Sequence, residues 1–153
     1  MTKAIIATAV VTIFLFTGCS PSKMTFKNAD NWIPADFNPG KTILLFEKFK
    51  DNAKVRIQME DYMSENYTYK YEFVDKATIE NRTGKYQDTK LYKYALIQTE
   101  GRRPVVIEKG EIWGGDFCFY DRENNKQYPP TKKECSNTMM LFKPIINTIM
   151  SRY

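Results

Sequence analysis

The chain has 153 residues and a formal net charge of +5, from 23 Lys and Arg against 18 Asp and Glu, and it contains no histidine. The aromatic content and the mixing of both charge signs exclude a disordered chain. The absence of histidine excludes Ser–His and Cys–His catalysis and any zinc site with histidine ligands. Lys and Arg are spread from Lys23 to Arg152 among carboxylates without the one-faced stripe that phosphate binding needs, so no nucleic-acid partner is expected.

In chain order, Met1-Thr2-Lys3 leads into an apolar and threonine run, Ala4 to Phe16, closed by Thr17-Gly18-Cys19. One positive charge, an apolar core within the usual range of roughly 7–15 residues, and small residues before the cut define an export signal. A membrane span needs about 20 apolar residues. Ser20-Pro21-Ser22-Lys23 ends the run before that. The segment Phe16-Thr17-Gly18-Cys19 resembles the lipobox of bacterial lipoproteins. The resemblance implies that residues 1–18 are removed and that Cys19 is acylated, becoming the mature N-terminus and the membrane anchor. Ser20, standing where an aspartate would retain the protein at the inner membrane, implies sorting to the outer membrane. Residues 19–30 then form a polar tether, and 31–153 a single globular domain of the usual size.

Within that domain, Asn31 to Gly40 reads as an irregular lead-in whose aromatics, Trp32 and Phe37, dock on the body. Thr42 to Phe46 is a continuous apolar run, as expected for a central strand buried on both faces. Val55, Met59, Tyr62 and Met63 follow at helical spacing behind the N-capping residues Asp51 and Asn52, which predicts a helix from about Asn52 to Glu65. Tyr67 to Val74 alternates strictly, placing Tyr67, Tyr69, Tyr71 and Phe73 on one face of a strand. Thr78 to Asp88 fits either a short helix or a loop. Leu91 to Ile97, Pro104 to Lys109 and Ile112 to Tyr120 read as strands, with a turn at Glu100-Gly101-Arg102 and a bulge at Gly114-Gly115. Met139, Phe142, Ile146 and Ile149 share a helical face behind Ser136 as cap, and Pro144 either kinks that helix or marks its start.

This order predicts an α+β fold: a mainly antiparallel twisted sheet of about five strands with two principal helices packed on one face. With Cys19 taken by lipid, Cys118 and Cys135 remain as a disulfide candidate in an oxidising compartment, two unpaired thiols being the alternative.

The segment Ala35 to Thr42 satisfies a permissive phosphate-loop pattern, but Gly40-Lys41-Thr42 opens a strand rather than a helix and Pro39 removes an N–H, so no nucleotide is expected. Glu108, Glu111, Asp116 and Asp121 leave a carboxylate-pair hydrolase as a third reading. Asp121, Glu123 and Asn125 lack the glycine and the distal glutamate of a calcium loop and read as a polar hairpin turn. No cofactor, metal site or catalytic residue is expected. The expected function is a non-catalytic envelope lipoprotein, an accessory or scaffold with a protein-binding face. The alternative is a module binding a glycan or small ligand through Trp113, Tyr69, Tyr71 and Tyr94, since tyrosine and tryptophan offer rigid apolar area with a polar tip.

Overall fold

A computed structural model describes residues 31–49, 52–99, 104–107, 110–113, 117–130 and 138–153. The leader, the tether, the turn at 100–102, the Gly114-Gly115 bulge and Ser136 therefore lie outside the described residues. The elements are β1 (Leu44–Glu47), α1 (Ala53–Asn66), β2 (Tyr71–Val74), α2 (Lys76–Asn81), a 3₁₀ turn (Gly84–Gln87), β3 (Tyr94–Gln98), β4 (Pro104–Ile107), β5 (Gly110–Trp113), β6 (Phe117–Asp121), β7 (Lys126–Gln127) and α3 (Thr138–Arg152).

Five strands form one sheet in the order β2-β1-β3-β6-β7, and β4 pairs with β5 in a separate hairpin. The fold is α+β as expected, with two main helices on a five-stranded sheet. β1 pairs in parallel with both β2 and β3, while β3–β6, β6–β7 and β4–β5 are antiparallel. Parallel neighbours need a crossover, and α1 supplies it between β1 and β2, which is the strand–helix–strand unit visible in the sequence. The single apolar run from Ile112 to Tyr120 divides between β5, in the hairpin, and β6, in the main sheet.

The period of two sorts the side chains cleanly. Leu44 and Phe46, Leu96, and Phe117 and Phe119 face the larger core with Met59 and Met63 of α1 and Leu141, Phe142, Ile145, Ile146 and Ile149 of α3. Leu45, Val74, Ala95, Ile97 and Cys118 face a smaller cluster closed by Ile79 of α2. Because both faces of β1 are covered, its run is apolar at every position from Leu44 to Phe46. The tyrosine alternation also holds: Tyr67, Tyr69, Tyr71 and Phe73 all turn toward the larger core, although only Tyr71–Val74 has strand pairing.

Local chemistry sets the helix ends. Asn52 caps α1, its Oδ1 accepting from Val55 N at 3.1 Å. At the other end the Tyr67 N–H closes on Met63 O at 3.0 Å before the chain becomes extended. The ambiguous stretch resolves into α2, ended by left-handed Arg82 at φ 52°, and the 3₁₀ turn, opened by Gly84 at φ 57°, a conformation that glycine adopts without strain. Pro144 lies inside α3 and is buried. The helix continues past it, and Thr148 Oγ1 donates to Pro144 O at 2.7 Å.

Arg122, the first residue after β6, is fully buried. Its guanidinium donates to three backbone carbonyls: Nε to Ile79 O at 3.0 Å, Nη1 to Tyr92 O at 2.6 Å and Nη2 to Tyr86 O at 2.7 Å. One side chain thus fastens α2, the 3₁₀ turn and the approach to β3 onto the end of β6. Burial pulls its pKa below the ordinary arginine value.

Candidate functional site

The lead-in is part of the folded body. Trp32, Ile33 and Phe37 are buried, and the Phe37 ring packs 5.1 Å from Phe119, 5.5 Å from Tyr94 and 5.6 Å from Tyr153. Tyr153 also donates its hydroxyl to Phe37 O at 2.5 Å, so the C-terminus clamps the N-terminal strap. The phosphate-loop look-alike is an Asx turn: Gly40 N donates to Asn38 Oδ1 at 3.0 Å, Thr42 Oγ1 donates to Asn38 O at 2.9 Å, and the chain runs on into β1.

Lys93 joins the strap to the sheet. Its Nζ lies 2.8 Å from Asp36 Oδ2, 3.1 Å from Glu123 Oε2 and 3.9 Å from Asp121 Oδ2, which ties the strap, the start of β3 and the β6–β7 turn together. Tyr94 donates its hydroxyl to the other Asp36 oxygen at 2.5 Å. The Asp121 carboxylate accepts from Glu123 N and Asn124 N and so caps the hairpin turn expected from its sequence. Burial and the hydrogen bond to Asp36 raise the Tyr94 pKa, and the Asp36 bond raises that of Lys93.

The Asp36 pKa is held below its ordinary value of 3.8, first by the hydrogen bond from Lys93 and then by that from Tyr94, against the opposing effect of burial. A depressed carboxylate contributes stability that is present above its unfolded value and lost as pH falls through the folded one. Because the Asp36 side chain is 58% exposed, screening limits the contribution to about 1 kcal/mol or less. Asp36→Asn is therefore expected to lower stability by that amount at neutral pH and to flatten the acid limb between about pH 5 and pH 2. Urea midpoints across a pH series check this; an acid limb unchanged in the variant refutes it.

On the helical face, α1 and α3 leave an open groove of about 290 Å³ between them, lined by Gln58, Asp61, Tyr62 and Glu65 of α1 and by Met139 and Lys143 of α3. Tyr62 forms its floor, with the ring 6.3 Å from Phe142 and the hydroxyl donating to Asn147 Oδ1 at 2.7 Å. Lys143 Nζ stands 5.1 Å from the Tyr62 ring. One turn away on α1, Ile57 is 52% exposed, more than any other large hydrophobic residue described. The face thus combines an apolar contact, an aromatic floor and charges of both signs, which suits recognition of a polar surface better than enclosure of a small apolar molecule.

The residues singled out from sequence are not brought together. Tyr69 and Tyr71 are half-buried neighbours along the β2 edge, both against the larger core and each 5.8 Å from Tyr67. Tyr94 is fully buried, so its ring offers nothing to stack on and only its hydroxyl acts, on Asp36. Trp113 ends β5, opposite Pro104 in the hairpin and outside the main sheet. Cys118 is buried on the α2 side of β6, while Cys135 and Cys19 lie outside the described residues. Glu108 and Asp116 lie outside them as well. Among the described residues no group of three metal-ligating side chains converges, and no helix is long and apolar enough to cross a membrane. The groove residues escaped sequence reading because their only local signal, Tyr62 on the inward face of α1, says nothing about α3.

No family model matches the chain, and no curated protein matches it. Among solved structures, the PelC dodecamer from Paraburkholderia phytofirmans is similar at a TM-score of 0.37 and 10% identity, over 73% of this chain and 88% of that one. A leucine-to-methionine variant of the same dodecamer gives a TM-score of 0.37 and 10% identity over 74% and 88%. At that level the similarity carries no argument.

Proposed function

We propose that this protein is an exported, non-catalytic accessory protein of the cell envelope, anchored to the outer membrane by lipid on Cys19 and presenting a protein-binding face. The observation that carries the reading is the leader ending in Phe16-Thr17-Gly18-Cys19, followed by a polar stretch that gives way to the buried Trp32. The groove between α1 and α3, with Ile57 beside it, supports placing the partner on the helical face. The half-buried Tyr69 and Tyr71 on the edge strand favour a second reading, a module for a glycan or small ligand.

Cys19→Ala is expected to abolish metabolic palmitate labelling, and unchanged labelling would sink the anchor. The protein-binding face is tested in intact envelopes with a photo-crosslinker placed at Gln58, on the groove, and at Lys76, on the opposite face. A reproducible protein adduct from the first position only is expected. Its absence from both overturns the reading. The Cys118–Cys135 disulfide belongs to the same proposal: its loop constraint contributes about 3 kcal/mol, and peptide mapping without reduction should recover the joined pair, whereas two free thiols refute it.

A further inference from the structure

On the α2 face of the sheet, a carboxylate and two phenol rings surround an ammonium group that the chain itself supplies. Glu72 of β2 accepts the Tyr86 hydroxyl on Oε2 at 2.8 Å and the Tyr92 hydroxyl on Oε1 at 3.3 Å. The two rings meet edge to face with centroids 5.1 Å apart. These bonds orient the carboxylate and leave lone pairs on both oxygens, and Lys85 Nζ fills them at 2.9 Å from Oε1 and 2.7 Å from Oε2. The same ammonium stands 5.1 Å from the Tyr86 centroid and 6.0 Å from that of Tyr92, within cation–π range of both. Burial acts to raise the Glu72 pKa, but the bonds from Lys85, Tyr86 and Tyr92 outweigh it and keep the group ionised.

The two sides of this contact are built differently. Tyr92 is buried, Glu72 sits within a paired strand, and Arg122 holds the carbonyls of both Tyr86 and Tyr92. Lys85, by contrast, has a 58% exposed side chain on a four-residue turn, directly after left-handed Gly84. An exposed ion pair of this kind contributes little to stability, so the lysine can leave while the groups around it stay in place. We infer that Glu72, Tyr86 and Tyr92 form a binding site for a primary ammonium group presented from outside the chain as a lysine side chain, with Lys85 as its internal stand-in. The ammonium is primary because both carboxylate oxygens accept N–H bonds, which a quaternary nitrogen cannot donate. It comes as a lysine because the site already seats that side chain.

The test follows the ring resonances of Tyr86 and Tyr92 by NMR while the full chain is titrated with Nα-acetyl-lysine methylamide, ethanolamine or tetramethylammonium, with sodium chloride as the ionic-strength control. Lys85→Ala should keep the ring resonances dispersed and bind the lysine probe saturably, about five-fold tighter than the unsubstituted protein does. Adding Glu72→Gln should weaken that binding by about ten-fold. Shifts in Lys85→Ala no different from those with sodium chloride overturn the site, as does collapse of the ring dispersion. Equal binding of ethanolamine overturns the lysine assignment, and equal binding of tetramethylammonium overturns the primary one.

Discussion

Replacing Arg122 by alanine is expected to lower the unfolding free energy by about 3–5 kcal/mol, the largest effect of any single polar substitution among the described residues. The reason is asymmetry. While present, the guanidinium exchanges water for three carbonyls, a modest net gain; once removed, the acceptors at Ile79, Tyr86 and Tyr92 lose their side-chain donor where solvent has little access. Arg122→Met, which retains apolar volume but no donor, should recover only part of the loss. Urea denaturation gives the magnitude, and amide exchange gives the location. Protection should fall first in α2 and the 3₁₀ turn, which Arg122 holds against β6. A loss below about 1 kcal/mol in both variants would show that these carbonyls find water instead.

The second large effect is at the strap. Phe37→Ala removes a buried ring that Tyr94, Phe119 and Tyr153 surround, and large-to-small changes of that kind cost about 3–5 kcal/mol. The substitution separates two views of the lead-in. A tether end would lose nothing when shortened, because flexible chain contributes no buried area. A strap locked by Trp32, Ile33 and Phe37 belongs to the folded unit, so deletion of residues 31–40 should lower the thermal midpoint at least as far as Phe37→Ala does. Calorimetry of the variant and the deletion decides the matter, and a midpoint unchanged by the deletion refutes the strap.

Much of the fold was legible because the signals are local. The helix of Val55, Met59, Tyr62 and Met63 repeats every three to four residues and carries its own cap at Asn52, so α1 is found within one residue of each expected end. The tyrosine alternation assigned one face correctly even where the strand itself is shorter than expected, because the pleat persists when the ladder does not. Where short apolar runs carried no periodicity, boundaries slipped: Leu91 to Ile97 begins in a turn, and Ile112 to Tyr120 divides between two sheets. Pro144 was undecidable from spacing, since the same residue starts one helix and bends another. Its burial against the core keeps it inside α3.

The site was far less legible. Tyr94 looks like any other strand tyrosine, yet the strap buries it and its hydroxyl donates to Asp36, 58 positions away. Nothing local distinguishes Lys93, between two tyrosines, or Arg122, between two carboxylates. Only closure of β3 against β6 puts one among three carboxylates and the other among three carbonyls.

By itself, then, the sequence determined the α+β class and the inward face of each long element, because these depend on composition and on neighbours within one turn or one pleat. The tertiary structure alone decided which polar residues act together. Such partnerships join groups far apart in the chain, 13 positions for Lys85 with Glu72 and 85 for Tyr62 with Asn147. Their energy arises from desolvation and geometry that exist only once the sheet and helices have packed.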